Sequence, residues 1–168
     1  MEKKFELTDK FVFNTFGIKL FQIKCTKSFK YAKEGDLGGY VEKDENLDQE
    51  SDAWVSGNAR VYGDAWVSGD AQVSGDARVS GDARVSGNAD IENDNNHCGF
   101  DCFGSCNRHT HAYLTKDNKV EITCGCFRGS IEEFEKKVEG THSGTIYEKQ
   151  YKAIINVIKI KFGLTDLI

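Results

Sequence analysis

Between Ala53 and Ile91 the apolar positions recur every six residues without a slip, in the stretch AWVSGNARVYGDAWVSGDAQVSGDARVSGDARVSGNADI. Val55, Val61, Val67, Val73, Val79, Val85 and Ile91 hold one phase, and Ala53, Ala59, Ala65, Ala71, Ala77, Ala83 and Ala89 a second. The six glycines from Gly57 to Gly87 hold a third. Such a fixed short period sets the architecture before any other signal. Ala and Val lie two apart in each phrase, so both face one way on an extended strand. The residue between them faces the other way; that slot holds Trp54, Arg60, Trp66, Gln72, Arg78, Arg84 and Asp90. The following Gly-Asp or Gly-Asn pair turns the chain, because glycine tolerates left-handed dihedrals and Asx side chains bond their own backbone. A helix would need apolar spacings of three and four and would be opposed by the glycines. Every phrase has the same polarity, which argues against a hairpin meander. The predicted element is a coil of short parallel strands, three to a turn.

The spacing resembles the hexapeptide repeat of left-handed parallel β-helix proteins, in which an aliphatic residue is followed four positions on by a small one, as in Val55 with Ala59 and Val61 with Ala65. The resemblance implies a left-handed superhelix, an exception to the right-handed crossover rule. It also implies about 18 residues per coil and assembly as a homotrimer. Residues one coil apart then stack about 4.8 Å apart. Trp54 lies under Gln72 and Asp90, Arg60 under Arg78, Trp66 under Arg84, and Asn58 under Asp76 at a corner. Val41 and Leu47 fall in the alanine phase and extend a degenerate coil back to about Gly35.

The flanks follow other patterns. Residues 1–34 alternate apolar and polar in patches (Phe11, Phe13; Ile18, Leu20; Phe21, Ile23, Cys25), which predicts two or three strands capping the open end of the coil. GDLGGYVEKDENL follows at 35–47, then a strongly acidic, solvated loop. After the polar linker ENDNN, residues 97–168 form a compositionally different module. Ala112–Thr115 and Val120–Thr123 flank a turn at Lys116–Lys119 and predict a hairpin. Ser130 and Glu133 form a capping box that opens a helix with Ile131, Phe134 and Val138 on one face, ended by Gly140. A second helix runs from about Ile146 to Phe162, with Tyr147, Tyr151, Ile154, Ile155 and Ile158 on its apolar stripe and Gly163 after its end. The expected fold is therefore mainly β: an N-terminal β cap (1–34), a short left-handed β-helix (35–96) and a small α+β module of one hairpin and two helices (97–168).

GDLGGYVEKDENL leading into the repeats, with CGCFRGSIEEFEKKV at 124–138 and THSGTIYEKQY at 141–151, resembles phage and prophage hexapeptide-repeat proteins that share a C-terminal Cys-Gly-Cys-Phe module. These phrases span most of the chain and specify a family better than an activity.

Composition narrows the partners. A net charge of −5 opposes general nucleic-acid binding. No export signal and no apolar run of membrane-spanning length occurs, so a bacterial cytoplasm is expected. The six cysteines are then reduced thiols or metal ligands rather than disulfides.

Five chemistries compete. Cys98, Cys102, Cys106, His109, Cys124 and Cys126, with His97 and His111 beside them, are zinc-type ligands, but Cys124-Gly125-Cys126 lacks knuckle spacing. Buried thiols explain them as well, and the resembling proteins commonly lack the first three cysteines. Cys126 before a helix N-terminus, with His142 or His109 as base, would make a catalytic thiol. A hexapeptide-repeat acyltransferase needs a histidine at the coil, and residues 35–96 contain none. The corner carboxylates offer a cation site, although their Asn substitutions favour side-chain ladders. Trp54, Arg60, Trp66, Arg78 and Arg84 on the coil, with Arg108 and Arg128 in the module, suit an anionic, nucleotide-like ligand; a wet face or trimer contacts explain the coil residues equally. The favoured expectation is a non-enzymatic, trimeric binding protein whose module takes a small anionic ligand or a host protein, in one version an inhibitor of host antiviral defence, with no cofactor. The alternatives are an acyltransferase-like or Cys-dependent enzyme and a zinc-stabilised structural protein.

Overall fold

The computed structural model describes residues 3–164, so residues 1–2 of the expected cap and 165–168 of the expected module lie outside it. The chain divides into two compact units, 1–96 and 97–168.

In the first unit, β1 (Phe5–Phe13), β2 (Lys19–Cys25) and β3 (Leu37–Val41) form an antiparallel sheet. The repeat then supplies seven two-residue strands: β4 (Trp54–Val55), β5 (Arg60–Val61), β6 (Trp66–Val67), β7 (Gln72–Val73), β8 (Arg78–Val79), β9 (Arg84–Val85) and β10 (Asp90–Ile91). Each pairs in parallel with the strand three phrases on: Trp54 with Gln72, Arg60 with Arg78, Trp66 with Arg84, and Gln72 with Asp90. The stacked columns read from the period are therefore present, and Asn58 donates to Asp76 at 3.3 Å. Every repeat Val and Ala from Ala53 to Ile91 is buried, with at most 2% exposure. Each buried Val contributes roughly 1.5–3 kcal/mol. The repeat glycines all turn at positive φ, between +58° and +70°.

Three expectations need correction. First, Val41 and Leu47 occupy the valine position rather than the alanine position: Val41 pairs with Val61 and Leu47 bridges Val67. The spacing from Leu47 to Val55 is two residues longer than the period, which restores the phase. Secondly, β3 pairs on one side with β2 and on the other with β5, so cap and coil share one sheet, β1-β2-β3-β5-β8. The Gly38-Gly39 pair permits this close approach, since a Cβ at Gly39 would meet the Ala59 carbonyl oxygen at 2.7 Å. Thirdly, Trp54 does not face solvent; the Phe29 ring packs edge-on against it at 5.4 Å and it is buried.

The two extra residues form the loop that Lys4 enters. Its buried ammonium donates to the Ser51 and Ala53 carbonyls, both at 2.7 Å. Burial pulls the group down to about 8, against the weaker opposing pull of Asp48 and Asp52. A neutral amine still donates two hydrogens, enough for both carbonyls. Between pH 8 and the unfolded-state value near 10.5, the unfolded chain binds the extra proton, so stability rises with pH across that window. We expect a gain of about 2 kcal/mol, discounted for partial screening. Denaturant melts of the wild type and Lys4→Met at pH 7.5 and 10 test this: the wild type should gain relative to the variant.

In the second unit, β11 (His97–Phe103), β12 (Arg108–Leu114), β13 (Val120–Cys124) and β14 (Phe127–Ser130) form an antiparallel sheet in chain order. The expected single hairpin is its central pair, β12–β13; β11 and β14 correct that expectation. Helices α1 (Ile131–His142) and α2 (Ile146–Lys161) pack on one sheet face. Ala112, Ile122 and Cys124 meet Ile131, Phe134, Val138, Tyr151, Ile154, Ile155 and Ile158 in its core. The Ser130–Glu133 capping box is formed in both directions, worth about 1 kcal/mol. α1 runs through Gly140 to His142 rather than ending there. Gly163 takes φ +67° after α2. No described helix is long and apolar enough to cross a membrane.

Candidate functional site: a carboxylate-free cleft

The β13–β14 turn, the last turn of α1 and the first half of α2 surround a cleft of about 110 Å³. Its lining is Arg108, Cys124, Cys126, Phe127, Phe134, Lys137, Val138, Thr141, His142 and Tyr151. The apolar stripe of α1 supplies Phe134 and Val138 from below. Lys137, Thr141 and His142, one step off that stripe, reach the rim. Arg108 leads β12, and its side chain lies over Gly125, where a Cβ would come within 2.6 Å of its Nη1. Gly125 (φ +59°) thus serves both the tight turn and the arginine's placement.

Tyr151 forms the wall. Its ring stacks on His142 (5.5 Å) and meets Phe134 edge-on (5.5 Å), while its hydroxyl lies 3.8 Å from the Cys124 thiol. The β11–β12 tip is tied to α2 there: Gly104 N–H donates to Gln150, and a Cβ at Gly104 would collide with the Tyr151 hydroxyl. Burial, and then the neighbouring Cys124 thiol, push the Tyr151 hydroxyl up to about 12, with Arg108 pulling the other way. Between the unfolded value near 10 and 12 the folded state holds a proton that the unfolded chain has lost. Stability therefore falls with rising pH in that window. Tyr151→Phe should remove a high-pH step from the phenolate absorbance titration, together with its share of the alkaline loss of stability.

The cleft brings together Arg108, Cys126, His142 and Cys124 from the sequence-derived candidates. Cys126 is exposed and Cys124 buried. The remaining candidates are dispersed. Arg128 pairs with Glu121 (2.7 Å), and that bond raises its guanidinium further. Arg60 stacks with Arg78, which lies 3.7 Å from Asp94. Arg84 sits 5.6 Å over the Trp66 ring.

The six proposed metal ligands do not converge. Cys98 and Cys124 lie on the helix-covered side of the sheet, and burial pushes the Cys98 thiol up. Cys102 and Cys106 are exposed at or near the β11–β12 tip, and Cys126 is exposed after β13. His109 bonds Asp101, and His97 Nδ1 contacts His111 Nε2 at 2.9 Å. Among the described residues no group of three His, Cys, Asp or Glu is placed to hold a metal ion. Lys137, Thr141 and Tyr151 were not singled out as site residues from the sequence. Lys137 and Thr141, four apart on α1, were the available signal.

The parallel ladders stack the repeat strands of residues 54–91 in register, each on the strand three phrases away. Residues 53–69 and 71–87 each match the family model described as the YdcK Beta solenoid repeat, so the coil is similar to that repeat. No curated protein matches the chain.

Proposed function

We propose that the chain is a non-enzymatic binding protein whose C-terminal unit captures a small anionic group in the cleft. One observation carries this reading: Arg108 and Lys137 line a pocket with aromatic walls, beside His142, and no carboxylate is among its lining residues. Cations gathered without counter-charges favour an anion, and charge-assisted bonds to it are about twice as strong as neutral ones. The cleft's volume of about 110 Å³ is below the ~300–1,000 Å³ of whole-ligand pockets. Its occupant is thus a phosphate or carboxylate head, with any larger body outside. The coil, read as left-handed and trimer-forming, is a rigid support in this proposal.

Isothermal titration with inorganic phosphate, acetate and adenosine monophosphate tests it. Heat is expected with at least one of them in the wild type, and Arg108→Gln should weaken that binding about tenfold to a hundredfold. Binding unaffected by that substitution would refute the reading. A Cys-dependent enzyme is the second reading, since Cys126 and His142 line the same cleft. Cys126→Ala separates the two: binding survives it under the first reading, and a turnover lost with it would establish the second.

A further inference from the structure

We propose that the coil carries a second, independent site: a saccharide platform centred on Trp66. A cavity of about 360 Å³ opens on the coil surface, lined by Lys43, Glu45, Asp64, Ala65, Trp66 and Arg84. Trp66 remains 37% exposed even with Arg84 over its ring. The chain's other tryptophan, Trp54, fills an equivalent repeat slot and is covered by Phe29. Trp66 therefore presents apolar ring surface beside polar groups, and among the described residues no aromatic ring covers it as Phe29 covers Trp54.

The charge pattern selects the ligand class. Two cations, Lys43 and Arg84, face two carboxylates, Glu45 and Asp64, and Lys43 pairs with Asp64 at 2.9 Å. This balance gives an anion no net attraction, unlike the cleft of the second unit. A nucleobase or a pyranose would each share the indole with Arg84, but a nucleobase has few groups to satisfy a lining of both signs. A pyranose fits the set better. Its C–H face packs on an aromatic ring, its hydroxyls donate to carboxylates, and its oxygens accept from lysine and arginine. The cavity is large enough for one sugar unit, within the usual range of small-molecule sites. A second copy of the chain is a poorer occupant, because interface cores are depleted of charged residues.

Saturation-transfer NMR on the full chain tests the site with methyl α-D-glucopyranoside, methyl β-D-galactopyranoside and N-acetyl-D-glucosamine, each at about 10 mM to populate a millimolar site. At least one probe should receive saturation. Trp66→Ala, at an exposed position, should reduce the transfer about tenfold or more, Trp66→Phe should retain part of it, and Arg108→Gln should leave it unchanged. Inorganic phosphate should not compete. Silence from all three sugars, equal transfer in Trp66→Ala, or displacement by phosphate would each overturn the proposal. Circular dichroism of Trp66→Ala confirms that a loss is not unfolding.

Discussion

Gly75→Ala should lower the melting temperature of the coil by roughly 10–20 °C, whereas Gly81→Ala should lower it by about 4 °C. The two glycines share the repeat phrase and nearly the same backbone, with φ +58° and +65°. Both substitutions place an alanine in the left-handed region, costing about 1 kcal/mol. They differ in what the new methyl meets. At Gly81 the new methyl has nothing within 4 Å, while at Gly75 it would collide with the Glu92 carbonyl oxygen. That oxygen accepts from the Asp76 N–H at 3.2 Å, so it cannot withdraw without breaking the rung-to-rung bond. The overlap and the lost bond together add about 2–4 kcal/mol. Equal melting temperatures for the two variants would mean that the last rung does not sit over Gly75 as described.

The second large effect concerns binding. Arg108→Gln and Lys137→Gln should each weaken anion binding about tenfold to a hundredfold, from the loss of one charge-assisted contact. The double variant should show no measurable heat. Both side chains are exposed, so thermal stability should change by less than about 0.5 kcal/mol. Two controls lie off the cleft. Arg128→Gln loses its bond to Glu121 without touching the site, and Arg60→Gln alters only the coil column. Neither should change anion affinity.

The coil was legible because its physics is local and repeated. Each Val–Ala pair sits on one strand face, each Gly supplies the positive φ, and the period itself gives the column partners. The phase slip after Leu47 escaped that reading, since a two-residue excess in an acidic loop leaves no local mark until Val41 is seen beside Val61. Trp54 departs from the outward-facing pattern of its slot because its cover, Phe29, comes from a loop 25 residues earlier in the chain. In the second unit the helix stripes and capping box were clear, while β11 and β14 were not. β14 is only four residues, Phe127–Ser130, with Arg and Gly inside it. β11 is glycine- and cysteine-bearing, and its register with β12 is irregular between Phe100 and Phe103. The cleft was half legible. Cys126, His142 and Arg108 stand apart in the sequence, and their convergence depends on Arg108 crossing Gly125 and on Tyr151 of α2 stacking on His142 at the end of α1, contacts that only the tertiary fold creates.

The most direct measurement is a nitrogen-15 amide shift map of the full chain titrated with inorganic phosphate. Saturating shifts confined to the neighbourhoods of Arg108, Cys124–Phe127 and Lys137–His142 are the expected result. Shifts centred on Arg60, Arg78 and Arg84 of the coil, or no shifts at all, would contradict the assignment of anion binding to the cleft.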